Sequence, residues 1–271
     1  NELKKKFQDT DIKIVETGIE HGSVTLIKEN YKVEITTLRR DIKTDGRHAE
    51  IDYTNSWQED SDRRDFTINS IYLSEKGKVF DPQMGSQDLK NKIVKFIGDP
   101  NLRITEDYLR ILRLIRFSIM YNSTPDNSTI QAIKTNINGI KKLSKERIFL
   151  ELKKIIKLEN LHIINEKNDL KEIFEVIFPE IKHLNRLNKL NYLKDLIHID
   201  YSLKLSAILI DETNNHEYFC HKYKTSNSLL KSLKILSSGV QEHNKNKNNF
   251  EKNLRQNLYK FGKNELKKII I

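Results

Sequence analysis

The sequence predicts an α+β protein in which a small strand-rich part is followed by an all-helical arm. Short segments rich in β-branched residues, separated by turn residues, fill the chain as far as about residue 96. Beyond Asp99-Pro100, apolar residues recur at helical spacing almost to the end. We expect three parts: residues 1–97 with the strands, residues 98–160 with the first helices, and residues 161–271 with a basic tail.

Composition favours an anionic partner. The 271 residues carry 48 Lys and Arg against 38 Asp and Glu, a net charge of +10. One cysteine excludes a disulfide partner within the chain, and no apolar run approaches the roughly 18 residues of a membrane span. We therefore expect a cytoplasmic protein that does not bind a membrane.

The strand-rich part is divided by recognisable turns. Its predicted strands are residues 12–18, 23–29 and 31–39, and Asp45-Gly46 within residues 43–47 signals a turn. Residues 67–73 fit either a helix or a strand, because short apolar runs are ambiguous. Residues 78–89 predict a strand, a Pro/Gly turn and the start of a helix.

The helical arm begins with residues 106–121, whose helical periodicity is nearly continuous. Residues 144–160 predict a second helix, with Ser144 as its N-cap and an apolar stripe of Ile148, Leu152, Ile155 and Ile156. Further amphipathic helices are expected at residues 169–178, 185–198, 201–210 and 226–239. Residues 243–268 predict a basic helix preceded by a loose loop.

Two windows carry candidate chemistry. Residues 61–70, SDRRDFTINS, place Arg63, Arg64 and Asp65 beside apolar residues, which is costly unless the arginines meet anions or carboxylates. A surface salt-bridge cluster at a helix start is the alternative. In residues 103–117, RITEDYLRILRLIRF, arginines recur every third residue and form a ridge that turns by about 60° per step. An intrahelical Asp107–Arg110 pair, worth about 0.2–0.5 kcal/mol, explains one of them.

Together with other motifs, these windows resemble the class II tRNA nucleotidyltransferase and bacterial poly(A) polymerase family. The resemblance covers residues 10–160 approximately, in the order HGSVTLI, VEITTLRRD, DGR, RRDFTINS, DPQMGSQDL, GDPNLRITEDYLRILRLIRF and SKERIFLELKKII. It implies a partial nucleotidyltransferase head of the polymerase-β type with a small mixed sheet. An all-helical neck with nucleotide-selecting and RNA-binding helices, and then a helical body, would follow.

The resemblance also implies roles for individual residues. Arg64 and Asp65 would lie at the ribose and triphosphate of the incoming nucleotide. Asp107 and Arg110 would form an amino-acid template, and Arg113 and Arg116 would continue the nucleotide-binding ridge. A carboxylate accepts from the exocyclic amine of cytosine or adenine while a guanidinium donates to the adjacent ring nitrogen. Guanine and uracil carry the opposite arrangement of donor and acceptor groups along this edge. An Asp–Arg pair held in a fixed position can therefore reject them.

Catalysis in this family implies Mg²⁺ held by an Asp-x-Asp pair that follows a GGxVRD turn, upstream of HGSV. The given sequence contains neither the GGxVRD turn nor the metal-binding Asp-x-Asp pair upstream of HGSV. Asp9 and Asp11 spell Asp-x-Asp without a glycine-rich turn, and we interpret them as a coincidental pair. Glu34 is the candidate catalytic carboxylate, although an outward, solvated Glu is the alternative.

The predicted function is addition of C, C and A to a tRNA 3′ end, with CTP and ATP as substrates and tRNA and nucleoside triphosphates as partners. We expect the 271 residues as given to be a truncated and inactive form. The alternatives are a poly(A) polymerase, an enzyme adding only CC or A, and a non-catalytic RNA-binding remnant.

Overall fold

A computed structural model of the chain describes residues 2–18, 22–45 and 48–271. The predicted α+β class is confirmed, with the strands preceding the helices. The chain forms two compact units, Asn1–Asp88 and Leu89–Ile271. The division into three parts at residues 97 and 160 stays a prediction.

The first unit contains short strands in separate small sheets. The strands are β1 (Lys13–Gly18), β2 (Ser23–Lys28), β3 (Tyr31–Thr36), β4 (Arg39–Asp45), β5 (His48–Tyr53), β6 (Tyr72–Leu73) and β7 (Val79–Phe80). One sheet has the order β1-β2-β3, and β4 pairs with β5 and β6 with β7. Every pairing among the described residues is antiparallel, in place of the expected mixed sheet. Consecutive strands joined by short turns can pair only in this way.

The first unit also contains the short helices α1 (Glu2–Lys6) and α2 (Trp57–Asp62) and a 3₁₀ helix (Thr67–Asn69). Helix α3 (Gly85–Lys90) begins in this unit and continues past its end at Asp88. The ambiguous segment 67–73 therefore divides into a 3₁₀ turn and strand β6. The strand, turn and helix start expected over residues 78–89 are confirmed. The predicted strand 31–39 ends earlier, at Thr36, and β4 begins at Arg39. The Gly46-Arg47 part of the predicted turn lies outside the described residues.

From Pro100 onward, the second unit consists of helices joined by short connections. Its α-helices are α4 (Pro100–Glu106), α5 (Leu109–Met120), α6 (Asn127–Asn136), α7 (Lys145–Lys157), α8 (Asn168–Ile177), α9 (Arg186–Tyr192), α10 (Tyr201–Leu209), α11 (Asn215–Lys222), α12 (Asn227–Lys245), α13 (Lys247–Lys252), α14 (Leu254–Phe261) and α15 (Lys263–Ile270). Two 3₁₀ helices, Ile137–Lys142 and Leu161–Glu166, flank α7. No helix in the described ranges combines the length and apolarity needed to cross a membrane.

The helix predicted over residues 106–121 is confirmed as α5 from Leu109 to Met120, but it does not extend back to residue 106. Asp107 has an extended backbone, with φ −152° and ψ 105°, and separates α4 from α5. Its carboxylate accepts from the Leu109 N–H at 3.1 Å. Asp side chains compete with the helical backbone for such donors, so the chain ends one helix and starts the next here.

The predicted helix at residues 144–160 is confirmed as α7. The Ser144 hydroxyl accepts from the Arg147 N–H at 3.3 Å, which is the expected N-cap. The four residues of the predicted stripe are buried, and α7 packs against α5. These contacts position Arg147 and Glu151, on the same helix, near α5.

The tail differs from the expected single basic helix. Three helices, α13 to α15, occupy it, and α12 continues to Lys245 where a loop was expected. Asn246 caps α13 by accepting from the Asn249 N–H at 3.0 Å. Gly262, with φ +80°, separates α14 from α15 in a conformation that favours glycine. Helix α11 was not predicted, because its apolar residues are few.

Candidate functional site

Asp60 on α2 organises the RRDFTINS segment of the first unit. Its carboxylate is 1% exposed and accepts from Arg63 Nε at 3.0 Å and from Arg64 Nη2 at 3.0 Å. The Tyr72 hydroxyl, at 2.8 Å, and the Arg39 N–H, at 3.2 Å, also donate to it. One buried carboxylate thus joins α2, β4 and β6 around the two adjacent arginines.

The ionisation of Asp60 is stabilised by these donors. Burial opposes its charge, but hydrogen bonds from Arg63 and Tyr72 outweigh that cost, so its pKa lies below the ordinary 3.8. Burial, followed by the hydrogen bond to Asp60, raises the pKa of Tyr72 to about 12. The cluster is therefore an anion surrounded by fixed donors near neutral pH.

Arg64 and Asp65, the residues predicted to contact the nucleotide, have defined partners in the first unit. Arg64 also donates to the Asn69 carbonyl at 3.0 Å, and its guanidinium carbon lies 5.1 Å from the Tyr72 ring centroid. Asp65 accepts from its neighbour's N–H, that of Phe66, and from Asn69 Nδ2, both at 2.9 Å. Arg64 remains more than a third exposed, so its charge is accessible to an anion.

Arg110 is held at the start of α5 by residues of α4. Its Nη1 donates to the Arg103 carbonyl at 2.9 Å and forms an ion pair with Glu106. Arg103 donates to the same carboxylate at 2.9 Å. Glu106 therefore anchors two guanidinium groups on either side of the helix break.

Asp107 has a different ionic partner, which is distant in sequence. Arg147 Nη2 on α7 donates to Asp107 Oδ2 at 2.8 Å, across 40 residues. The backbone N–H of Arg110 donates to the Asp107 carbonyl at 3.0 Å, so the two predicted template residues are adjacent. Their side chains are anchored separately, by Arg147 and by Glu106.

Arg113 and Arg116 continue along α5. Their guanidinium carbons lie 5.6 and 4.0 Å from the Phe117 ring centroid. Arg116 pairs with Glu151, which is 2% exposed and also accepts from Lys154 at 3.0 Å. Burial opposes ionisation of Glu151, but the bonds from Arg116 and Lys154 prevail and lower its pKa.

The sequence reasoning missed four organising residues: Asp60, Glu106, Arg147 and Glu151. Spacing identified none of them as a partner, since Arg147 and Glu151 approach α5 through tertiary packing. The sequence did offer a signal for two of them, a carboxylate three or four residues before an arginine. Asp60 stands in this position before Arg63 and Arg64, and Glu106 stands in it before Arg110.

The acidic residues considered as metal ligands lie on the surface of the first unit. Asp9 and Asp11 are exposed, and Asp11 pairs with Lys28 at 3.1 Å. Glu34 is exposed on β3, opposite Thr25 of β2. No group of three His, Cys, Asp or Glu side chains suited to a metal ion occurs within the described part of the chain. These residues therefore do not fit a Mg²⁺ site.

A double-mutant cycle will show which ion pair Asp107 forms. We expect Asp107→Asn and Arg147→Gln to be coupled by about 1 kcal/mol in the free energy of unfolding, because both side chains are half-buried and hydrogen bonded. The matched cycle with Asp107→Asn and Arg110→Gln should give a smaller coupling. Urea unfolding of the four-protein sets measures both, and a larger coupling to Arg110 would contradict the assignment.

Comparisons with known proteins identify the family of the chain. Residues 1–95 match the family model described as "Poly A polymerase head domain", and residues 124–184 match "Probable RNA and SrmB- binding site of polymerase A". The human "CCA tRNA nucleotidyltransferase 1, mitochondrial" is 46% identical over 159 residues, covering 57% of this chain and 37% of the relative. The chain belongs to the CCA-adding enzyme and poly(A) polymerase family.

Another CCA-adding relative matches more of the chain. The "CCA-adding enzyme" of Limosilactobacillus reuteri is 30% identical over 248 residues, which are 89% of this chain and 60% of that protein. A solved tRNA nucleotidyltransferase, complexed with a primer tRNA and an incoming ATP analog, covers 99% of this chain and 83% of its own, with a TM-score of 0.70. At 24% identity, this likeness shows the fold alone. The chain spans between about a third and two thirds of the curated relatives' lengths.

Proposed function

We propose that this chain forms the nucleotide-selecting and RNA-binding part of a tRNA 3′-end nucleotidyltransferase that adds C, C and A from CTP and ATP. The resemblance of its motifs and the names of its CCA-adding relatives support this reaction. Its substrates would be the tRNA 3′ end and nucleoside triphosphates. Nucleotidyl transfer depends mainly on positioning and on neutralising phosphate charge, which anchored arginines can provide.

The observation that carries the proposal is the separate anchoring of Asp107 and Arg110. Arg147 holds the carboxylate and Glu106 holds the guanidinium, so the two groups do not depend on each other for their positions. A base reader of this kind needs an acceptor and a donor at fixed places, because a mismatched base then leaves buried polar groups unpaired. Asp107 would accept from the exocyclic amine, and Arg110 would donate to the neighbouring ring nitrogen.

The Asp60 cluster supports a role in phosphate binding. Two oxygens of one buried carboxylate fix the guanidinium groups of Arg63 and Arg64, while Arg64 keeps part of its surface in water. A fixed guanidinium loses less conformational entropy when it binds phosphate. Arg64 would therefore meet the triphosphate, with Asp65 ordering the adjoining turn through Phe66 and Asn69.

Mg²⁺, which the resemblance implies, would neutralise phosphate charge in the complete reaction. Asp9, Asp11 and Glu34 do not form a site for it, as described above. We assign no step to Glu34, and the roles of Arg113 and Arg116 would be confined to the ridge beside the nucleotide.

A chimera tests the proposal. The portion of the Limosilactobacillus reuteri enzyme that this chain does not cover is joined to the chain, and the chimera is incubated with tRNA lacking its CCA end, labelled CTP and ATP, and Mg²⁺. We expect C, C and A to be added in order. Repeated addition of A would instead indicate a poly(A) polymerase, and addition of CC alone or of one A alone would indicate an enzyme specialised for that step. RNA binding without extension would indicate an RNA-binding remnant.

Binding of tRNA by the 271 residues should be strongly salt-dependent. The net charge of +10 supplies Lys and Arg for phosphate contacts, and each contact should contribute about 0.7–0.9 to the negative slope of log K against log salt. Fluorescence anisotropy with labelled tRNA between low and moderate salt measures this slope. A flat dependence, or equal affinity for double-stranded DNA of the same length, would contradict a tRNA-binding surface.

A further inference from the structure

A cavity of about 330 Å³ lies in the second unit, between the 3₁₀ helix Leu161–Glu166, α9 and α10. Its apolar wall is formed by Leu161, Leu187 and Leu190, each less than a tenth exposed. The volume is at the lower end of the range for small-molecule pockets. The candidate template and the RRDFTINS segment contribute no residue to it.

A buried lysine lines the cavity, and its hydrogen-bond partner is a neutral carbonyl group. The Lys204 side chain on α10 lines it, although the residue is only 9% exposed. Its ammonium donates to the Leu158 carbonyl at 2.5 Å, and no carboxylate in the described chain forms an ion pair with it. A buried ammonium with one neutral acceptor is costly, and it has two further donors available.

Burial and neighbouring charges both act on the titratable groups of the cavity. Burial lowers the pKa of Lys204, with Glu159 opposing the shift through space. Burial is also the main cause that lowers the pKa of His162. The charge of Glu166 opposes this shift, and the charges of Lys194 and Lys204 add to it. His162 and Lys194 line the same cavity, so an anion there would relieve a repulsion between neighbouring groups.

Two exposed acidic residues of the lining limit which anions fit. Glu159 and Asp195 also line the cavity, and both are exposed. They would repel the additional charges of a triphosphate or an RNA backbone, whereas a single anionic group could reach Lys204 beyond them. The apolar wall would meanwhile cover the uncharged part of such a ligand.

We infer that this cavity binds a small monocarboxylate with a short apolar body, its carboxylate paired with Lys204 and its chain against Leu161, Leu187 and Leu190. The inference does not depend on the proposed nucleotidyl transfer. It requires only that a charge-assisted hydrogen bond form in a partly dry pocket.

Isothermal titration calorimetry on the 271-residue chain tests it with hexanoate, and with hexanamide as the neutral analogue of the same length. We expect hexanoate to bind at least about tenfold more tightly than hexanamide, because only the carboxylate forms a charge-assisted bond. Lys204→Met keeps the apolar stem and should abolish that difference. Lys260→Met, at an exposed lysine paired with Glu242, is the matched control and should preserve it.

Three results would overturn the inference: equal affinities for hexanoate and hexanamide, no binding of hexanoate, or unchanged preference in Lys204→Met. Inorganic phosphate and tRNA are titrated in parallel arms. If Lys204→Met weakens tRNA binding but leaves hexanoate unaffected, the lysine belongs to an RNA surface and the inference is wrong. Should Lys204→Met fail to fold by circular dichroism, the comparison of hexanoate with hexanamide on the unmodified chain decides.

Discussion

Asp60→Asn should lower the free energy of unfolding by about 2–4 kcal/mol, the largest stability loss that we expect from a single substitution in the first unit. The change removes the carboxylate charge that pairs with the guanidinium groups of both Arg63 and Arg64. It also weakens the bond from the Tyr72 hydroxyl. Because the two arginines are partly exposed, we expect a smaller loss of stability than the largest losses that follow when a fully buried ion pair is broken.

Asp62→Asn is the matched control for this prediction. Asp62 lies two residues away, is exposed, and accepts from the side-chain amides of Gln58 and Gln83. An Asn can accept the same bonds, so the loss should stay below about 1 kcal/mol. Urea unfolding of the three proteins provides the comparison, and equal losses for Asp60→Asn and Asp62→Asn would contradict the assignment of Asp60 as the organising residue.

The pH dependence of the Asp60 effect has a definite sign. The pKa of Asp60 is lower in the folded protein than its ordinary 3.8, so the folded state favours the carboxylate. Its contribution to stability is complete above the unfolded pKa and is lost as the pH falls through the folded pKa. The stability difference between the unmodified chain and Asp60→Asn should therefore narrow below about pH 4, and a constant difference down to pH 2 would contradict the ionised Asp60.

Asp107→Ala, in the active chimera, should reduce the preference for CTP over UTP by about tenfold or more in kcat/KM. In the unmodified protein, the Asp107 carboxylate accepts from the cytosine amine. When uracil binds, the same carboxylate faces a carbonyl oxygen that repels it, and the variant removes this penalty. Arg110→Ala should instead lower kcat/KM for CTP and ATP together, because each base loses a charge-assisted bond of about 1.5–3 kcal/mol. Arg113→Ala should raise KM for all four nucleotides similarly.

Asp126→Ala separates base selection from stability in this experiment. Asp126 caps α6 by accepting from the Thr129 N–H at 2.8 Å, so its removal costs about 1 kcal/mol without touching the template residues. The CTP preference should stay unchanged in this variant. If Asp107→Ala lowers the melting temperature but also leaves the preference within twofold, Asp107 serves only its ion pair with Arg147.

Local features were predictable from the sequence because their causes are local. Ser144 caps α7 as expected, since the hydroxyl and the Arg147 N–H are three residues apart. The stripe from Ile148 to Ile156 is buried because helical spacing places it on one face. The helix break at Asp107 was missed, because its apolar neighbours continue the helical period through a residue that caps rather than extends the helix.

The sequence by itself determined the α+β class, the family motifs and the positions of Arg64, Asp65, Asp107 and Arg110 within them. Only the tertiary structure decided how charged side chains pair: Asp107 with Arg147 and Arg116 with Glu151, at separations of 40 and 35 residues, and Lys204 with no carboxylate in the described chain. Long charged side chains can reach many partners, and burial selects among them because each charge taken from water needs a donor or an acceptor nearby. Buried charges find these partners on neighbouring packed helices. The spacing of residues in the sequence does not show which helices pack together.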